Sequence, residues 1–199
     1  MQFPFKHQSQ RLLLAAATLL LVVAAAPLAH ATNPSATGNL TVTATVNSSI
    51  AFQFASDSNG VSLSGITNNT NGTASTATLA FGGVTEYGTA STGVTVNTTP
   101  ASALCTSCWS VSSPVDIDIV QANGASSNYT LKAALQGTPA NGEALSVDGG
   151  SALTTTAVSV TATGSYSSNA SHTVTLGIPS SATSGQSFSD VVVFTAIAN

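Results

Sequence analysis

The chain has 199 residues, of which three are Lys or Arg and seven are Asp or Glu, so its net charge at neutral pH is −4. Residues 32–199 carry one base, Lys132, against all seven acids, which gives this part a net charge of −6. So few cations cannot release the counterions of a nucleic-acid backbone, and they disfavour binding to anionic membranes. Composition therefore excludes nucleic acid as a partner and leaves few side chains for acid–base chemistry.

Residues 1–31 have the composition of a secretory signal peptide. Two basic residues precede an apolar run over residues 12–26, and Ala29 and Ala31 stand at the positions that a signal peptidase reads. A run of about 15 apolar residues is short for a transmembrane helix, which needs about 20, although a retained N-terminal anchor is the alternative. We therefore expect a secreted, periplasmic or cell-surface protein of a bacterium, without stable membrane insertion after cleavage.

Apolar and polar residues alternate with a period of two along the rest of the chain. This period predicts β-strands, because successive side chains of a strand point to opposite faces. The alternating or apolar runs cover residues 40–46, 50–54, 115–119, 129–135, 158–162, 174–178 and 191–198. No part of residues 32–199 has an apolar stripe with helical spacing, so we predict an all-β protein.

Turn residues separate these runs. Asn-Gly pairs, which tolerate positive φ, occur at residues 59–60, 71–72, 123–124 and 141–142. Residues 68–78 have no apolar period and are rich in Asn and Thr, which predicts a loop or an insertion. Short strands with frequent turns are typical of a sandwich or a barrel. We predict a single-domain, immunoglobulin-like β-sandwich over residues 32–199, with residues 32–38 as a flexible N-terminal tail.

Cys105 and Cys108 are the two cysteines of the chain. In an exported protein, cysteines this close in sequence favour a local disulfide, which we predict here. A thioredoxin-like redox pair would need its first cysteine at a helix N-terminus, and the sequence predicts no helix there. Cross-linking between chains is the other alternative.

Two polar features could support catalysis or metal binding. Asp116 and Asp118 share one face of a predicted strand, as paired carboxylates would for a hard cation or for glycoside hydrolysis. Their alternation with apolar neighbours predicts a solvated outer face instead. His172 is the one histidine after residue 31, and no Gly-x-Ser-x-Gly motif accompanies it, so we expect it at a strand edge. We predict no catalytic residue, metal site or cofactor.

Aromatic residues could form a platform for sugar binding. Trp109 and Tyr129 alternate with apolar residues, which predicts that both face the core. Tyr87 and Tyr166 lie close to glycines in predicted loops and are the candidate ligand contacts. An extracellular carbohydrate-binding module is therefore the alternative function.

Two short motifs carry a resemblance to a known family. The sequence LAFGGV at 79–84 is followed by GVTV at 93–96, and FSD at 188–190 precedes the last apolar strand. These motifs resemble the spore coat U family of secreted, pilin-like β-sandwich proteins of bacteria. The family usually has a cysteine just after its Val-Thr-Val strand, where this chain has Asn97 and Thr98.

The resemblance implies a subunit of a surface fibre or coat, assembled by a chaperone–usher-type route. An extended segment of one such subunit completes the sandwich of the next. The candidate strand-exchange segment contains Leu40, Val42, Ala44 and Val46. The alternative is an ordinary first strand paired within its own domain, and it is slightly favoured because the run begins soon after the cleavage site and continues into residues 50–54. We predict an exported, non-enzymatic structural or adhesive surface protein that associates with itself or with other surface subunits through β-strand contacts.

Overall fold

The computed structural model describes residues 37–69, 74–99, 104–124 and 126–199, and these residues form ten β-strands and no α-helix. The all-β prediction is confirmed. The chain divides into two units, residues 1–44 and 45–199, and every described strand belongs to the second unit. The predicted signal peptide lies outside the described residues, and none of the described residues belongs to a helix long and apolar enough to cross a bilayer.

The strands are short except for one. They are β1 (Ser49–Ala55), β2 (Ser64–Thr67), β3 (Thr76–Thr78), β4 (Thr95–Asn97), β5 (Cys108–Ala122), β6 (Tyr129–Leu135), β7 (Ala144–Val147), β8 (Val158–Gly164), β9 (Ala170–Pro179) and β10 (Val192–Ala198).

Two antiparallel sheets contain most of these strands. The first sheet has the order β1-β5-β9-β7, and β4 pairs with the first part of β5 on the same edge as β1. The second sheet has the order β10-β6-β8, and β2 and β3 form a separate hairpin. Two of the predicted Asn-Gly turns have residues at positive φ, with Asn123 at 55° and Gly142 at 79°. Asp148, in the turn after β7, also has a positive φ of 53°.

The core lies between the two sheets. Alternate residues of β5 and β6 are fully buried, and one cluster joins Ile117 and Ile119 of the first sheet to Tyr129 and Leu131 of the second. This face-to-face packing is that of a β-sandwich. The immunoglobulin-like topology stays a prediction.

The predicted strand over residues 40–46 is absent, since the structure assigns no strand to residues 37–48. A strand formed by residues 40–46 would commonly pair with the edge of β1 that faces away from β5. Side chains of the β2–β3 hairpin occupy that edge: the Phe54 N–H donates to Asn68 Oδ1 at 2.8 Å, and Ser75 Oγ donates to the Phe52 carbonyl. Six other predicted runs coincide with β1, β5, β6, β8, β9 and β10, and the Val-Thr-Val strand that the resemblance implies overlaps β4, whereas β2, β3 and β7 were not predicted.

Candidate functional site

The core is covered unevenly at one edge of the sandwich. The inward side chains of β5 and β6 are buried, but those of β1 and β10 are only half-buried. Phe52, Phe54 and Phe194 meet there, with ring centroids 4.8 to 6.2 Å apart. We call this edge, lined by these three rings, the β1/β10 seam.

A cavity of about 1130 Å³ opens at one end of the seam, next to Phe54 and Phe194. Its floor is the core face of the first sheet, including Trp109, Leu176 and Ile178. Its walls include residues 79–86 and 182–191, which form no strand. We call this space the seam cavity.

The seam cavity exists because the first sheet extends beyond the second. The inward residues of β5 near Ile117 pack against β6, but at the other end of β5 Trp109 and Val111 pack against loop residues. Phe81 and Phe188 are among these loop residues, and both are only partly buried. Loops therefore cover this end of the core where a strand of the second sheet would otherwise lie.

β10 is an edge strand of the second sheet. It pairs with β6 on one side, and on its other side no described strand pairs with it. A smaller cavity of about 310 Å³ lies at the far end of the seam, between Ile50 and Ala198. The seam thus combines a free strand edge with partly covered apolar side chains along its length.

The predicted strand-exchange segment presents its apolar side chains to solvent. Leu40, Val42 and Val46 are 87%, 81% and 73% exposed, and Ala44 between them is exposed as well. Such an exposed row is unusual, because apolar side chains at period two normally cover a core.

The two predicted ligand tyrosines lie in different surroundings. Tyr87 is 87% exposed, and its hydrogen bond to Glu86 and the charge of that residue raise its pKa. Tyr166 packs on Tyr129 at 5.4 Å between ring centroids, and its hydroxyl donates to the Asn128 carbonyl at 3.0 Å. Tyr166 is therefore only partly buried, with its ring against the core cluster, and is less accessible than Tyr87. Trp109 and Tyr129 are buried, as predicted.

His172 is not at a solvated strand edge. It lies opposite Val115 on the core face of the first sheet, and its Nδ1 is 2.7 Å from Asp148 Oδ2. Asp148 Oδ1 also accepts the Thr173 N–H at 2.7 Å. The His172 Nε2 is buried without a partner among the described residues, so no serine there completes a catalytic triad. This pair was not predicted, and its one signal in the sequence is the Asp-Gly-Gly turn motif at residues 148–150.

Two pairs of carboxyl groups form contacts that the sequence did not predict. The first joins Asp116 to Asp57, which accepts a hydrogen bond from Ser171 at 2.8 Å. Desolvation and then the charge of Asp57 raise the pKa of Asp116, whereas the Asn59 N–H and then Ser171 lower that of Asp57. The described residues contain no group of three or more His, Cys, Asp or Glu side chains that could hold a metal ion.

The second pair joins Glu143 to Asp190, which lies in a wall of the seam cavity. Glu143 is 5% exposed, and its Oε2 accepts the Asn141 N–H at 2.7 Å. Desolvation, followed by the charge of Glu143 and its hydrogen bond, raises the pKa of Asp190.

Cys105 and Cys108 form the predicted disulfide, with their Cα atoms 5.8 Å apart. The bridge lies against Gly177 of β9, where an added Cβ would be 3.1 Å from Cys105 Sγ. The disulfide therefore ties the loop before β5 to the first residue of that strand and packs against β9.

Comparison with protein-family models, with curated proteins and with solved structures finds no match to this chain.

Proposed function

We propose that this protein is an exported, non-enzymatic subunit of a surface assembly, in which residues 40–46 of one copy add a strand to the β1/β10 seam of the next. One observation carries the proposal. The chain has both an apolar seam with a free strand edge and an exposed segment whose side chains alternate with the period of a strand.

The seam supplies what strand addition requires. An incoming strand gains affinity from backbone hydrogen bonds to a sheet edge and specificity from pockets for alternate side chains. The free edge of β10 offers the backbone groups, and the seam cavity offers apolar space beside Phe54 and Phe194. At about 3.3 Å per residue, the seven residues 40–46 match the seven-residue length of β10.

The incoming segment also has the correct two faces. Leu40, Val42 and Val46 would enter the seam, while Thr41 and Thr43 would remain on the solvent face. Burial of a Leu or Val side chain stabilises by about 1.5–3 kcal/mol, so three of them offset much of the entropy lost on association. The low charge of the chain also limits repulsion between packed copies.

The test is the mass in solution of protein expressed for export, measured by light scattering after size exclusion. The double variant Leu40→Asp, Val42→Asp places charges on the apolar face and should remain a monomer. The matched control Thr41→Asp, Thr43→Asp places the same charges on the other face and should still form oligomers. Equal assembly of both variants would contradict the proposal.

Carbohydrate binding is the second candidate, favoured by the exposed ring of Tyr87. It predicts a monomer that binds a glycan and loses that binding on the change Tyr87→Ala. A glycan array probed with both proteins distinguishes it from strand addition.

A further inference from the structure

Residues 180–191 cross from the end of β9 to the start of β10 and form one wall of the seam cavity. The Ser180 N–H donates to the Ser107 carbonyl at 3.0 Å, and the Val191 carbonyl accepts the Gln136 N–H at 2.9 Å. Between these two anchors, the backbone hydrogen bonds found in the described residues are local turns. We call residues 180–191 the flap.

Two side-chain contacts hold the flap against the first sheet. Phe188 packs on the cluster of Trp109 and Ile178 at the floor of the seam cavity. The carboxyl group of Asp190 lies close enough to that of Glu143, which is buried just before β7, for the two to interact. Asp190 Oδ2 is buried, and the described residues offer it no hydrogen-bond partner.

We propose that the Glu143–Asp190 pair is a proton-controlled latch that holds the flap closed over the seam cavity in acid and releases it as the pH rises. This role rests on the proposed function, because the flap would control the entry of the incoming strand. Two carboxyl groups in contact can share a proton, but they repel each other when both are ionised.

The direction of the pH dependence follows from linkage. Desolvation and the charge of Glu143 raise the pKa of Asp190 in the closed structure, so the closed state binds this proton more tightly than an open state would. Low pH therefore favours the closed flap, and this preference is lost as the pH rises through the raised pKa.

Few other charges face the pair. Glu86 is the other titratable residue among those that line the seam cavity, and it lies in the wall formed by residues 79–86. Lys132 of β6 lies between the core-facing Leu131 and Ala133, so it belongs to the outer face of the second sheet. The latch thus has no cation beside it on the described part of β6.

The first experiment follows the flap without a ligand. Trp109, the one tryptophan of the chain, lies under the flap and reports its opening through acrylamide quenching. The protein carries Leu40→Asp and Val42→Asp so that no segment fills the seam. We expect the quenching constant to rise at least about twofold from pH 4 to pH 8 as the open population grows.

Asp190→Asn keeps a hydrogen-bonding group that cannot ionise, so its quenching should stay low across this range. Glu86→Gln is the matched control from the wall formed by residues 79–86 and should follow the parent. Quenching that is independent of pH in the parent, or that rises equally in Asp190→Asn, would overturn the latch.

The second experiment links the latch to strand binding, with a synthetic peptide of residues 38–48 as the probe. We expect tighter binding at pH 8 than at pH 5, by less than about tenfold for each pKa unit that separates the closed and open states, because an ordinary aspartate is already mostly ionised at pH 5. Equal binding at both pH values would overturn the latch and leave strand addition intact. No binding at either pH, with the quenching change still present, would contradict strand addition and hence the role of the latch in assembly.

Discussion

Gly164 shows how single residues determine the packing of the second sheet. It is buried at the end of β8, opposite Tyr129 of β6, whose ring lies over it. A Cβ at this position would lie under 3.0 Å from three ring atoms of Tyr129. A glycine is therefore required here by the close approach of an aromatic ring.

We expect Gly164→Ala to destabilise the protein by about 1–3 kcal/mol or more, because overpacking forces the buried ring to move. Urea unfolding at neutral pH measures this change in the free energy of unfolding. Gly137→Ala is the control, since an added Cβ there meets nothing within 4 Å. Equal stability of the two variants would show that the Tyr129 ring can move freely.

The pairing of Asp57 with Asp116 predicts how stability depends on pH. The raised pKa of Asp116 stabilises the fold below the unfolded value of about 3.9, and this contribution is lost as the pH rises through the folded value. Asp116→Asn cannot ionise, so the variant does not lose this stability as the pH rises. Its urea midpoint should exceed that of the parent at pH 7 and approach it at pH 3. If the difference in urea midpoint between Asp116→Asn and the parent stayed the same from pH 3 to pH 7, this explanation of the pair would be contradicted.

Among the strands, β6 and β10 differ in how completely they are covered. Leu131 of β6 is fully buried, whereas Phe194 of β10 is half-buried at the seam. This difference separates the elements that stabilise the subunit from those that the proposed strand addition would use.

We expect Leu131→Ala to cost about 2–5 kcal/mol in the free energy of unfolding. Phe194→Ala should cost less than the 3–5 kcal/mol of a buried phenylalanine, because its ring loses less burial. Urea unfolding of both variants in the Leu40→Asp, Val42→Asp background measures this in the single subunit. If Phe194→Ala lowered the free energy of unfolding as much as Leu131→Ala does, the Phe194 ring would be fully buried and the seam would not be open to an incoming strand.

Period-two alternation predicted the strands that have one buried face. β6 coincides with its predicted run, but β7 was missed because three of its four residues are buried and no alternation results. Residues 40–46 have the alternation of a strand without forming one. The pattern encodes a segment suited to strand pairing, but the available sheet edge depends on the tertiary fold.

The candidate site was predicted only in part, for a similar reason. The proposed exchange segment has a pattern that is visible in the sequence, whereas the seam results from unequal coverage by the two sheets. Glu143 and Asp190 meet only because β7 and β10 begin at the same end of the sandwich, and no local motif marks their contact. The partial burial of the Tyr166 ring likewise depends on Tyr129, a residue remote in sequence.

In the proposed assembly, each whole subunit has one donor segment and one acceptor seam. Because these are different surfaces, contacts between copies would be heterologous, and repetition would give an open chain or a ring. A copy with a disabled donor segment can still accept a strand, and a copy with a disabled seam can still donate one.

The most direct test mixes two disabled proteins, Leu40→Asp, Val42→Asp as the donor variant and Phe194→Asp as the seam variant. Far-UV circular dichroism first establishes that both are folded. The account predicts that each alone is a monomer by light scattering after size exclusion, and that an equimolar mixture forms a dimer and nothing larger. Oligomers of the donor variant alone, or a mixture that remains monomeric, would contradict it.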